Sequence, residues 1–263
     1  MQNKNKKPKP EKLTADYKSI FPLECKSCQS QSVYYKYGRF SDMCICESCG
    51  TNLPDFKYYQ HTPKSFEYKH LWCVFYGNKK PRPLLIILAG YGCDAKRTFK
   101  MSRYAKWADH YGFNLLYLAD KNLYWNRTFQ QSNQTIVELL TTTTYSDLFR
   151  SISDISVMGH SNGGIQMASL ATRMKLKHVI FISGFVDEAV QLITQNYLDY
   201  RQLNPANTII IDNTKDEGFT ECNKMMHDYL KKMYIQSTVI EVETGHNLRA
   251  CGGKMFKLLY ETK

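Results

Sequence analysis

The chain predicts an α/β fold: a mostly parallel sheet with helices on both faces, preceded by a small cysteine-rich module. Three observations carry this reading. From about Lys64 onward, short apolar runs of strand length alternate with longer stretches of helical periodicity, the pattern of repeated strand-helix units. Residues 155–164, ISVMGHSNGG, set a serine between glycines at a strand-to-helix turn. Ahead of both, two C-x2-C pairs stand within residues 25–49.

Composition sets the outer bounds. A chain of 263 residues with 43% apolar content can bury one good core and carry a small extra module. The net charge of +11 is uneven: residues 1–20 hold six lysines against Glu11 and Asp16, residues 21–60 are neutral, and the rest is spread over the long C-terminal part. A Lys/Pro/Asn segment with few apolar groups cannot offset its ordering entropy, so residues 1–20 are expected to be a disordered basic tail. Such a tail is chiefly solubilising, with weak attraction for RNA, acidic protein or a membrane surface. The start lacks an apolar h-region and no run reaches membrane-spanning length, which predicts a cytoplasmic protein without a transmembrane segment. Nine cysteines in such a chain point to metal binding or free thiols rather than to a disulfide framework.

Residues 21–60 form the next expected unit. Cys25 and Cys28 make one knuckle, Cys46 and Cys49 another, with seventeen residues between the pairs. That spacing suits four thiolates converging on one tetrahedral Zn²⁺, and the intervening VYYKYGRF has the strand-forming residues of a hairpin. The segment resembles a zinc ribbon. Cys44 is a spare thiol able to replace Cys46. Four thiolates leave no open position for water, so the zinc is expected to be structural. Tyr34, Tyr35 and Tyr37 could stack on bases, but a protein contact or packing on the main domain fits the sequence equally well.

The main domain, residues 61–263, is read element by element. Phe66 to Tyr76 is strand-like, Leu84 to Leu88 is a buried strand, and Thr98 to Tyr111 reads as one helix with Phe99, Tyr104, Trp107 and Ala108 on its apolar side. Phe113 to Leu118 is a strand and 133–150 is partly helical. The strand Ile155 to Met158 leads into the serine turn, and Ile165, Met167, Ala168 and Leu170 begin an amphipathic helix after it. Then come strand Val179 to Ile182, helix 186–200, strand Thr208 to Ile211, helix 219–233, strand Thr238 to Val242 and a last helix near 253–260.

In such a sheet the reacting groups collect at the carboxyl ends of the strands. Ser161 in Gly159-His160-Ser161-Asn162-Gly163 is placed as a nucleophile on a strained turn, where side chains in place of the two glycines would collide with the strand and helix. A serine nucleophile needs a base oriented by an acid, in the chain order nucleophile, acid, histidine. His246, just past the last strand, is the expected base, and Asp216, five residues past the strand ending at Ile211, the expected acid, with Asp212 and Asp187 as alternatives. His61, His70, His110, His178 and His227 fall on helices, strands or linker, and the side chain of His160 is expected to point away from the base. Two backbone N–H groups, those of Asn162 and Tyr91, would stabilise a developing oxyanion. Tyr91, Trp125, Tyr124 and Phe185 are candidate walls of the cleft.

The stretches PLLIILAGYGCDA, WADHYGFNLLYLAD, NLYWN, GHSNGG, DNTKDE and TGHNL together resemble the α/β-hydrolases, and within them the esterase group of polyhydroxybutyrate depolymerases and feruloyl or acetylxylan esterases. The resemblance covers about residues 80–250. It implies an α/β-hydrolase fold and ester cleavage through an acyl-enzyme, with Ser161, Asp216 and His246 catalytic and Tyr91 and Asn162 in the oxyanion hole. Where the family has a histidine that braces the oxyanion turn, this chain has Ala89. Thioester cleavage or acyl transfer by the same triad, and an interaction protein whose ribbon binds a partner or nucleic acid, are the competing readings; the substrate expected is a small or tethered ester.

Overall fold

The computed structural model describes residues 61, 63–78, 82–122, 125, 129–141, 155–171, 173–183, 208–232, 237–243, 245–246, 248 and 251–262, and, by backbone alone, 11–12, 33–37 and 42–46. The chain divides into two compact units, Met1–Tyr58 and Tyr59–Lys263.

The first unit contains a three-stranded antiparallel sheet of β1 (Glu11–Lys12), β2 (Val33–Tyr37) and β3 (Asp42–Cys46). β2 and β3 pair with Val33 opposite Cys46 and Tyr37 opposite Asp42. Within the stretch expected to be disordered, Glu11 and Lys12 pair with Tyr35 and Tyr34. Backbone pairing of this kind needs no apolar side chain. Cys44 and Cys46 share one face of β3 by the two-residue period. Cys25, Cys28 and Cys49 lie outside the described residues.

The second unit is built on an eight-stranded sheet. Its strands are β4 (Lys64–Tyr68), β5 (Leu71–Tyr76), β6 (Leu84–Leu88), β7 (Asn114–Asp120), β8 (Ile155–His160), β9 (His178–Ile182), β10 (Thr208–Asn213) and β11 (Ser237–Val242), in spatial order β11-β10-β9-β8-β6-β7-β5-β4. From β11 to β7 the neighbours run parallel, and the β4–β5 hairpin adds an antiparallel edge against β7. All five residues of β6 are buried, as a central parallel strand requires. Its alternate side chains enter two different cores: Leu84, Ile86 and Leu88 one, Leu85 and Ile87 the other.

Six helices among the described residues cover the two faces. Ala95–Ser102 (α1), Ala105–Tyr111 (α2) and Gly252–Glu261 (α6) pack Phe99, Tyr104, Ala108 and Phe256 on one side. Phe129–Thr141 (α3), Gly163–Ala171 (α4) and Glu217–Lys232 (α5) pack Ile136, Leu139, Met167 and Leu230 on the other. Their order places a topological switch at the centre: the chain leaves β6 toward β7 and leaves β8 toward β9, in opposite directions. The crevice between these connections, outside the carboxyl ends of β6 and β8, is where a ligand is received in an open α/β sheet.

Several elements differ from the sequence expectation. The span Phe66 to Tyr76 is a hairpin, turning at Lys69 and His70 with Lys69 at φ 53°, and no glycine or proline marks the turn. The helix expected over Thr98 to Tyr111 starts earlier, where Asp94 Oδ1 accepts the Arg97 N–H at 2.7 Å, and breaks at Arg103 (φ 57°). Ser102 Oγ supports that break by bonding back to Phe99 O and to Tyr117 Oη. α4 is not amphipathic: every residue is buried, and its two polar side chains meet α3, Asn133 Oδ1 accepting from Gln166 Nε2 and Asn133 Nδ2 donating to Ser169. β10 runs to Asn213, so Asp216 stands three residues past its end rather than five. The helix expected over 186–200 lies outside the described residues.

Candidate active site

Ser161 follows directly on β8 and takes φ 52°, a left-handed conformation that a non-glycine residue holds only where its surroundings impose it. Its N–H donates to Ile182 O of β9 at 3.0 Å, and its carbonyl accepts the Gly164 N–H at 2.9 Å, opening α4. The flanking glycines are steric requirements. A Cβ on Gly159 would stand 2.5 Å from Gly163 O, and one on Gly163 would run into Leu88 O of the neighbouring strand. The serine is thus held at the carboxyl edge of the sheet, 7% exposed.

Two further loops reach this edge. Thr214 N–H donates to Val242 O at 3.0 Å and ties the turn after β10 to the end of β11. In that turn Asp216 begins α5, its carbonyl accepting from the N–H groups of Phe219 and Thr220. His246, past β11, meets it: Nδ1 lies 2.7 Å from Asp216 Oδ2, with the histidine side chain 37% and the aspartate 14% exposed. The loop carrying His246 is anchored two residues later, where Tyr104 Oη donates to Leu248 O.

Of the alternative acids, Asp212 accepts from Asn223 Nδ2 of α5 at 3.0 Å, and Asp187 lies outside the described residues. Three other histidines have structural partners: His178 joins Ser156 to Thr262, His227 meets Ser237, and His70 meets Ser132.

His160 departs from expectation. Its ring does not point away from the base but packs on His246, with centroids 4.6 Å apart and planes at 43°. Period two explains the direction. Met158, two residues earlier and on the same side of β8, lies in the core under α1, α2 and α6, and the loop bearing His246 leads into α6. The Phe219 ring also contacts His246, at 4.6 Å and 40°. Burial pushes the His160 imidazole down to about 3, and the nearby His246 adds to the shift. No hydrogen bond joins Ser161 to His246 among the described residues; His160, next to Ser161 in the chain, touches His246 with its ring.

The turn after β6 lies against this cluster. Gly90 is so near that a Cβ there would stand 3.1 Å from His160 Nδ1 and 3.2 Å from Ser161 Cβ. Its carbonyl accepts the Cys93 N–H at 3.3 Å, closing a turn in which Tyr91 is 68% exposed. Trp125, expected as a cleft wall, is instead a brace. It is buried, donates from Nε1 to Ala89 O at 2.8 Å, and donates its backbone N–H to Asn162 Oδ1 at 3.0 Å. One residue thereby supports both turns flanking the serine, in a chain whose position 89 has no side chain to do so. Tyr124 and Phe185 lie outside the described residues.

Among the described residues no group of three or more His, Cys, Asp or Glu is arranged to hold a metal ion. The described cysteines Cys73, Cys93, Cys222 and Cys251 are free thiols, and burial pushes Cys73 up to about 12 and Cys251 to about 11, away from reactive thiolate character. A cavity of about 350 Å³ lies between the β4–β5 hairpin and the start of α1, lined by Phe66, Trp72, Val74, Asp94 and Lys96 among others; neither Ser161 nor His246 borders it. No described helix is long and apolar enough to cross a membrane.

No protein-family model matches the sequence, and no curated protein is significantly similar to it. Solved structures are similar in shape. FphF, a fluorophosphonate-binding serine hydrolase of Staphylococcus aureus, superposes with a TM-score of 0.58 at 13% identity, covering 77% of this chain and 97% of that one. An esterase of Pyrobaculum calidifontis gives 0.57 at 10% identity over 76% and 85%, respectively. Carboxyl esterase 2 of Tuber melanosporum gives 0.56 at 14% over 78% and 89%. This chain shares the fold of these serine hydrolases and esterases. At such identities the likeness is one of fold, and function has to be argued from the site.

His160, Phe219, Trp125 and Tyr104 are the site's supporting residues that sequence reading missed in these roles. For Trp125 a signal existed in the NLYWN stretch. Phe219 and Tyr104 gave none, because each is an ordinary apolar position of a helical pattern whose partner is distant in sequence.

Proposed function

We propose that the chain hydrolyses a carboxylic ester with Ser161 as nucleophile, His246 as general base and Asp216 as its orienting acid. The observation that carries the reading is the His246–Asp216 hydrogen bond, formed between the loops after β11 and β10 at the same sheet edge as the strained Ser161. A carboxylate on Nδ1 fixes the tautomer that leaves Nε2 to accept a proton. The mechanism requires His246 and Ser161 to come within hydrogen-bond reach when substrate binds, the stage at which catalytic hydrogen bonds tighten.

In this mechanism Ser161 Oγ attacks the ester carbonyl while His246 takes its proton, and Asp216 stabilises the resulting imidazolium. The backbone N–H groups of Tyr91 and Asn162 receive the oxyanion, Asn162 at the N-terminus of α4 where the helix dipole favours negative charge. His246 returns the proton to the leaving alcohol. Water, activated by the same base, then releases the acid from Ser161. The esterases among the structural neighbours support this class of reaction, and the Ser-Asn-Gly-Gly elbow and the Ala-Asp-His-Tyr-Gly-Phe helix end favour its polyhydroxybutyrate depolymerase and feruloyl esterase branch.

For the N-terminal unit, the reading is a module closed by one structural Zn²⁺ on Cys25, Cys28, Cys46 and Cys49. Support comes from the β2–β3 pairing. With Val33 opposite Cys46, the chain running back toward Cys28 and the chain running on toward Cys49 leave the pair at the same end.

The test of the activity is turnover of short p-nitrophenyl esters by the wild-type chain and by Ser161→Ala. The reading predicts turnover that disappears in the variant. A folded Ser161→Ala protein that turns over like wild type would refute it.

A further inference from the structure

His160 occupies a place that neither the elbow nor the acid–base pair requires. It is 8% exposed, and its Nε2 is buried without a hydrogen-bond partner among the described residues. A polar atom left in that state opposes folding, and an apolar side chain at the end of β8 would avoid it. What His160 does contact is His246, and it is joined through the peptide bond to Ser161.

The Asp216 bond holds His246 at one atom, Nδ1, and leaves the ring free to swing about that tether. The ring contacts from His160 and Phe219, each at a centroid distance of 4.6 Å, remove that freedom. Phe219 belongs to α5, the helix that Asp216 begins, so one contact ties the ring to the acid's element and the other ties it to the nucleophile's.

We propose that His160 is a positioning residue, whose ring sets the tilt of His246 and registers the base against Ser161 through their shared strand end. This rests on the reading of Ser161 and His246 as nucleophile and base. The support itself is well fixed: β8 is buried along its whole length, and Gly90 closes on His160 from the side of β6. Because burial keeps this imidazole uncharged at neutral pH, it can lie against His246 without repelling the imidazolium that forms there in turnover.

The full-length chain is compared with His160→Gln, which keeps polarity and loses the ring, His160→Phe, which keeps a ring and loses the nitrogens, and Phe219→Ala on the half-buried face of α5. Circular dichroism and thermal melts establish folding, and steady-state kinetics are measured on p-nitrophenyl acetate. A base tilted out of line should lower kcat by on the order of 10²-fold with KM little changed in His160→Gln, whereas His160→Phe recovers most of it. Phe219→Ala should also lower kcat and not KM. The proposal is overturned if folded His160→Gln turns over like wild type, or if His160→Phe is as slow as His160→Gln. Should neither His160 variant fold, unchanged kcat in Phe219→Ala overturns it. Ser161→Ala run alongside keeps the two claims apart: retained turnover there refutes the hydrolase reading itself, while the His160 and Phe219 results bear on positioning alone.

Discussion

His246 Nδ1 and Asp216 Oδ2 lie 2.7 Å apart although thirty residues separate them, because Thr214 ties the turn after β10 to the end of β11. Asp212, nearer the strand, is engaged with Asn223 instead. Asp216→Asn should therefore lower kcat by on the order of 10³-fold or more, by stabilising the wrong tautomer of His246, while Asp212→Asn leaves kcat near wild type. Kinetics of the two variants on one aryl ester decide between the carboxylates.

Trp125 joins Ala89 O to Asn162 Oδ1. Trp125→Phe keeps an aromatic ring but is smaller than the buried indole and leaves the Ala89 carbonyl without its donor, so the lost hydrogen bond, about 1–3 kcal/mol in stability, adds to the cost of the space left behind. Since the backbone N–H of Trp125 still reaches Asn162, the elbow should survive and the turn carrying Tyr91 should loosen. The expected result is a lower melting temperature together with reduced kcat, read by urea denaturation and ester turnover.

The glycines around Ser161 make a stronger demand. Gly159→Ala sets a methyl group 2.5 Å from a backbone oxygen that a tight turn cannot move. The cost should reach or exceed the roughly 1–3 kcal/mol of ordinary core overpacking. Denaturant midpoints at unchanged m-value would measure it.

Acid should destabilise the fold through two histidines. Burial pushes His160 down to about 3 and His178 to about 4, both below their ordinary value of 6.5. Between those limits the unfolded chain binds the protons that the folded chain refuses. Stability is therefore complete above about pH 6.5 and declines as pH falls, by about 1.4 kcal/mol per pH unit for each histidine, until the folded pKa is reached. His178→Gln should flatten the slope by one proton's worth between pH 6 and 4, measured by urea unfolding at each pH.

Much of this was legible from sequence because it depends on local pattern. β6, β8 and β9 are apolar runs buried on both faces, and the elbow needs glycines at fixed offsets from Ser161, so periodicity and spacing identify them. The misjudged elements were decided by contacts distant in sequence. Arg103 breaks a helix whose apolar periodicity runs on, and Lys69 turns a hairpin without glycine. α4 is buried all round, with Asn133 of α3 bonding to Gln166 Nε2 and Ser169 Oγ, which no local pattern in 163–171 reveals. The direction of His160 was misjudged for the same reason. Alternation fixes which face of β8 it shares with Met158, but the arrival of the His246 loop on that face is set by where α6 packs.

The central claim is that Ser161 is an activated nucleophile, and the most direct measurement is covalent labelling. The full-length chain is treated with a fluorophosphonate, digested, and the adduct located by mass spectrometry, with His246→Ala and Ser161→Ala in parallel. The account predicts a single phosphonylated residue, Ser161, labelled far more slowly in His246→Ala and not at all in Ser161→Ala. An adduct on another residue, or labelling of Ser161 at the same rate without His246, would contradict it.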